Sequence, residues 1–67
     1  MTCNFYRDNE QKLPTAGNFL FIDYYREMRE GQLVTNDKTG KVYRVMTQCT
    51  NSVRMELDVF LLELNLN

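Results

Sequence analysis

Apolar and polar positions alternate with a period of two along Gln32–Thr47, QLVTNDKTGKVYRVMT, and that pattern predicts a β-hairpin. Leu33 and Thr35 alternate with Val34 and Asn36 on the first arm, and Val42, Arg44 and Met46 alternate with Tyr43, Val45 and Thr47 on the second. Between the arms, Asn36-Asp37-Lys38-Thr39-Gly40 carries turn chemistry. Asn and Asp can close a turn through their side chains, and Gly40 can take the positive φ of a type I turn followed by a bulge. A single glycine thereby sets the register of two strands.

A second stretch of the same period begins at Ser52. Val53, Met55, Leu57, Val59 and Leu61 fall on one side and Arg54, Glu56 and Asp58 on the other, the pattern of a half-buried strand. Parity then changes, with Leu62, Leu64 and Leu66 carrying the apolar side, so a bulge or turn near Phe60–Leu62 is expected to restore the inward face. A helix over Asp58–Leu64 is the alternative. The short polar segment Gln48–Asn51, QCTN, reads as the connection of a second hairpin.

Asn18–Glu30, NFLFIDYYREMRE, supports two readings. As a strand, Leu20, Ile22, Tyr24 and Met28 share one face and Phe19, Phe21, Asp23 and Tyr25 the other. As a helix, Phe21, Tyr24, Tyr25 and Met28 follow three- and four-residue spacing, with Asn18 as N-cap and Gly31 as stop. The β-prone run Phe19-Leu20-Phe21-Ile22 favours a strand over residues 19–25, followed by a helical turn at Arg26–Glu30. Residues 1–17 are the least patterned: Arg7–Lys12 is polar throughout, and Pro14 and Gly17 punctuate a loop. They are expected as an arm over the surface, with Asn4-Phe5-Tyr6 at most a short edge strand and Phe5 and Tyr6 tucked against the core. An arm that orders on a partner is the alternative.

Three strands joined by short turns, with a candidate strand before and after, predict an all-β fold. It is read as a small barrel or curled antiparallel meander of about five strands, with an α+β fold carrying a helix in 19–30 as alternative. Gly31-Gln32-Leu33-Val34, Gly40-Lys41-Val42-Tyr43-Arg44-Val45 and Ser52-Val53-Arg54-Met55-Glu56-Leu57 resemble the strand–turn–strand pattern of SH3-like small barrels. The resemblance implies a fold and nothing more, because unrelated functions share this barrel. The acidic loop and aromatic groove of SH3 peptide binders are missing.

Sixty-seven residues make one small domain without room for a second core. A single core of this size rarely supplies more than about 3–5 kcal/mol, so a staple, a metal or a partner is often recruited. No metal or cofactor is expected: there is no histidine, and Cys3 and Cys49 lack ligand spacing. The two cysteines are expected as free thiols, a disulfide requiring that the N-terminus lie beside the hairpin end. Neither a basic leader nor an apolar run follows Met1, and the longest apolar runs are four residues, Phe19–Ile22 and Val59–Leu62. A reducing, cytoplasmic setting without membrane insertion follows as the expectation.

Without histidine the commonest general base is missing, and neither Ser52 nor either cysteine has an evident activating group. No phosphate-binding glycine motif is present. Glu56 and Asp58 are paired carboxylates on one strand face, expected as a solvated ladder with Arg54. An enzyme is therefore not expected.

Eight basic and nine acidic side chains give a net charge of −1, with no block of either sign to announce a nucleic-acid surface. The residues that could still contact a single strand are Lys41, Tyr43, Arg44 and Arg54: a tyrosine to stack a base, beside cations for phosphates. The preferred expectation is a non-catalytic binding or adaptor module working through protein contacts, either with a host protein or as a homodimer. Its candidate binding residues are Phe19, Phe21, Tyr24 and Tyr25, aromatic area in excess of what so small a core can cover. By analogy of size, such a chain is of the kind phages and mobile elements use as small adaptors or inhibitors.

Overall fold

The computed structural model describes residues 1–65, and among them there is no helix. Five strands form one sheet: β1 (Thr2–Arg7), β2 (Phe19–Tyr24), β3 (Leu33–Thr35), β4 (Val42–Asn51) and β5 (Glu56–Leu64). Their order is β2-β1-β5-β4-β3. The all-β expectation holds, and β3-β4-β5 is the antiparallel meander. β1 joins that meander by parallel pairing with β5, which makes the sheet mixed, and β2 returns antiparallel to β1.

The hairpin turn forms where its residues predict it. Gly40 has φ 76° and its N–H donates to the Asn36 carbonyl (2.7 Å), while Asn36 Oδ1 accepts from the Lys38 N–H (3.1 Å). The second hairpin sits four residues later than expected. β4 runs on through Gln48–Asn51, and the turn is Ser52–Met55, closed by the Arg54 N–H donating to Asn51 Oδ1 (3.2 Å). Val53 and Met55, expected inside, are exposed there, and Met55 takes a left-handed φ of 56°. The change of parity is absorbed by a bulge at Met46 on β4, opposite Leu61 and Phe60, rather than by a break within β5. Beyond it, Gln48 and Thr50 share a face with Val59 and Leu57, and Cys49 lies on the other face with Asp58. Leu66, expected to extend the row of Leu62 and Leu64, lies outside the described residues.

Strand curl makes the core. In a flat sheet, β2 and β4 would stand about 14 Å apart, three strand spacings. Yet the rings of Phe21 on β2 and Tyr43 on β4 have centroids 6.0 Å apart. The concave side thus closes over Cys3, Phe5, Val34, Tyr43, Val45, Leu57, Val59 and Leu61. Residues 25–32 cross from β2 to β3 at opposite edges of the sheet. They form an irregular strap instead of the expected helical turn, with Met28 inserted into the core. Gln48 Nε2 donates to the Met28 carbonyl (2.7 Å), and the Cys3 thiol donates to the Arg26 carbonyl (3.6 Å), so the strap is held from two strands.

β1, expected as an edge strand of a surface arm, is instead interior to the sheet, with Cys3 and Phe5 fully buried. Cys3 faces the concave core, whereas Cys49 is exposed on the convex side. The two thiols are free, and the sheet itself lies between them. β5 is buried over five successive residues, Leu57–Leu61, because it pairs on both sides and both of its faces are covered. On the convex face Phe60 stacks on Tyr6 (5.8 Å), and Tyr6 meets Phe19 edge-on (5.6 Å). The β1–β2 loop is tied to this region by the Asp8 N–H, which donates to the Leu61 carbonyl (2.9 Å).

Candidate functional site

β2 is an edge strand six residues long, and its outer side has no strand partner among the described residues. Tyr25 N–H donates to the Met1 carbonyl (3.3 Å), which sets the phase of the β1–β2 ladder. Alternate residues of an antiparallel strand bond to their neighbour, so Phe21 and Asp23 turn their backbone groups towards β1, and Ile22 and Tyr24 turn theirs outward. The Tyr24 N–H is capped by Asp23 Oδ1 (2.8 Å), and Asp23 Oδ2 in turn accepts from Arg26 Nη1 (2.8 Å). The Arg26 hydrogen bond, followed by the Tyr24 amide, holds the Asp23 carboxyl below its ordinary value of 3.8. Ile22 has no such cap among the described hydrogen bonds.

A register shift between Phe5 and Tyr6 sorts the side chains of β2. Leu20 and Phe21 pack on the concave core, while Phe19, Ile22 and Tyr24 stand on the convex side. Tyr24 is 85% exposed and Ile22 57%, with Phe19 and Tyr25 also exposed. Of the four aromatic residues expected to bind protein, Phe19, Tyr24 and Tyr25 are exposed. Phe21 is half-buried: it stacks on Phe5 with ring centroids 4.4 Å apart and packs against the core. Ile22 was missed, because in the sequence it closes an apolar run that reads as core. On the concave side, an open cleft of about 490 Å³ lies between β2 and the β3–β4 turn, lined by Phe19–Asp23 and Thr35–Thr39.

The residues considered for a nucleic-acid surface do not come together. Tyr43 is 3% exposed and packs in the core near Phe21, so it has no ring face to offer a base. Lys41 pairs with Glu63 (3.5 Å) and Arg54 with Glu56 (3.3 Å). Glu56 and Glu63 lie near opposite ends of β5, about 23 Å apart at the usual rise per residue. Arg44 is exposed on the convex face between Leu33 and Leu62, its partners in register.

The paired carboxylates are also differently placed from the solvated ladder expected of them. Asp58 is only 9% exposed, and Asn4, buried beside it in register, donates its Nδ2 to Glu56 Oε2 (2.6 Å) and Asp58 Oδ1 (3.2 Å). Burial, and then the charge of Asp58, raise the neighbouring Tyr6 phenol above its ordinary 10.0. One amide holding two carboxylates is a structural cross-tie between β1 and β5. Among the described residues no group of three or more His, Cys, Asp or Glu side chains could hold a metal ion, and no helix is long and apolar enough to cross a membrane. No family model, curated protein or solved structure matches this chain.

Proposed function

We propose that this protein is a non-catalytic binding module that engages another protein chain through the β2 edge, by adding a strand to the sheet. The observation that carries the reading is the edge itself: Ile22 and Tyr24 direct backbone groups outward from an unpaired strand and expose large side chains beside them. In strand addition the main-chain ladder supplies affinity and alternate side chains supply specificity. An exposed edge of this length is otherwise a liability that proteins blunt with charge or proline. Here the only charge on β2 is Asp23, which is neutralised within the strand's own chain by Arg26. The burial of Tyr43 removes the main support for the nucleic-acid alternative.

The test is affinity capture on the immobilised protein, with and without nuclease, comparing the wild type with Ile22→Lys. The expected outcome is a nuclease-resistant protein partner that the variant loses. Equal capture by the variant, or release by nuclease, overturns the reading.

A further inference from the structure

We infer that the middle of the strap, residues 26–30, opens as a unit while the five strands stay paired, drawing Met28 out of the core and uncovering the Cys3 thiol. The two ends of the strap are fixed by backbone bonds. Tyr25 N–H donates to the Met1 carbonyl (3.3 Å) at one end; at the other, Gly31 N–H donates to the Val45 carbonyl (2.7 Å) and the Gln32 carbonyl accepts from the Val45 N–H (2.8 Å). Between these anchors no backbone group of residues 26–30 bonds to a strand backbone among the described hydrogen bonds. Gly31 has φ 85°, and a Cβ placed there would meet no atom within 4 Å, so the chain can turn at this anchor without collision.

Few contacts hold the middle down. Met28 is the one buried side chain in residues 25–32, and the rest are exposed. Its carbonyl accepts from Gln48 Nε2 (2.7 Å), and the Arg26 carbonyl accepts from the Cys3 thiol at 3.6 Å, which places the strap over a fully buried Cys3. A thiol is a weak donor. The Arg26 guanidinium stands 5.9 Å from the centre of the Phe5 ring and pairs with Asp23 (2.8 Å), but both charged side chains are well exposed and such a pair adds little. A segment with one buried side chain and no ladder opens at lower free energy than the sheet it crosses. Against the strap lies a cavity of about 480 Å³, lined by Tyr25, Met28, Gln48, Thr50 and Leu57 among others, and withdrawal of Met28 joins its socket to that space.

Cys3 reports the movement once the exposed Cys49 is replaced, so the full chain is studied in a Cys49→Ser background. It is incubated with excess N-ethylmaleimide at urea concentrations from zero to just below the unfolding transition, and modification of Cys3 is followed by mass spectrometry. Strap opening gives labelling in water about tenfold or more faster than global unfolding supplies, and nearly independent of urea because little surface is exposed. Phe60→Leu, on the convex face, should weaken global folding about tenfold yet leave labelling in water unchanged. Gln48→Ala, which removes the bond to the Met28 carbonyl, should speed labelling about fivefold. Labelling no faster than global unfolding supplies, or rising with urea along the full unfolding slope, overturns the inference. So does labelling that Phe60→Leu speeds in proportion to the stability it loses, or a rate that Gln48→Ala does not move.

Discussion

The two faces of the β1–β5 pair are both buried, by different physics. The concave face is apolar and is covered by the curl of its own sheet: Cys3, Phe5, Leu57, Val59 and Leu61 meet Phe21, Val45 and Tyr43 brought round from other strands. On the convex face Asn4 and Asp58 share the burial with Phe60, and Tyr6 is the aromatic that covers them. There, removal from water is offset because Asn4 donates to two carboxylates at once, while Thr2 Oγ1 on the same face is buried without a partner among the described residues. The difference teaches that in so small a sheet the core proper is one-sided. The second face is a packed polar seam whose stability depends on the Asn4 cross-tie to Glu56 and Asp58.

The largest break in that contrast comes from Phe5→Ala on the concave side. It removes a fully buried ring stacked between strands, at a cost of about 3–5 kcal/mol. That is comparable to the total stability of a domain this size, so thermal or denaturant unfolding should find the variant largely unfolded at room temperature. Phe60→Ala should cost less, nearer about 3 kcal/mol, because the loop over the convex face can settle into the space. Equal losses for the two would abolish the distinction between the faces.

Asn4→Ala sharpens the polar side. It leaves the carboxylates of Glu56 and Asp58 without their shared donor and should cost about 1–3 kcal/mol by denaturant titration. A smaller effect is pH-dependent. The folded state holds the Tyr6 phenol above 10.0, so the stability it contributes is complete below that pH and is lost as pH rises through the folded value, where the unfolded chain ionises first. Alkaline unfolding of Tyr6→Phe should lack that component when compared with the wild type. The smallest effect belongs to the free edge: Tyr24→Ser, at an 85% exposed position, should change monomer stability by no more than about 0.5 kcal/mol in dilute solution.

The two hairpins show what could be read directly and what could not. Around Gly40 the turn residues, the glycine φ of 76° and the flanking alternation agree, so the β3–β4 turn was legible to the residue. The β4–β5 turn has no glycine and places Met55 in the same left-handed region. Its apolar residues, Val53 and Met55, continued the alternation of the strand beyond and hid the turn inside it. β1 was illegible for a related reason. Asn4 interrupts the apolar run, and only its contact with Glu56 and Asp58, over fifty residues away, makes a buried asparagine acceptable. Phe19 and Phe21 share strand parity, and the register shift opposite Phe5 and Tyr6 sends one to the convex surface and packs the other, half-buried, against the core.

Local chemistry by itself favoured extended segments over the helical alternatives in 18–30 and 58–64, determined where the first meander hairpin turns, and left aromatic area in excess of one small core. Tertiary structure alone decided which strand lies at the centre, which edge stays open and which aromatic rings remain outside. Alternation along a strand says that two faces differ but carries no information about what will cover each. That is settled by pairing between residues far apart in the chain, here the parallel union of β1 with β5.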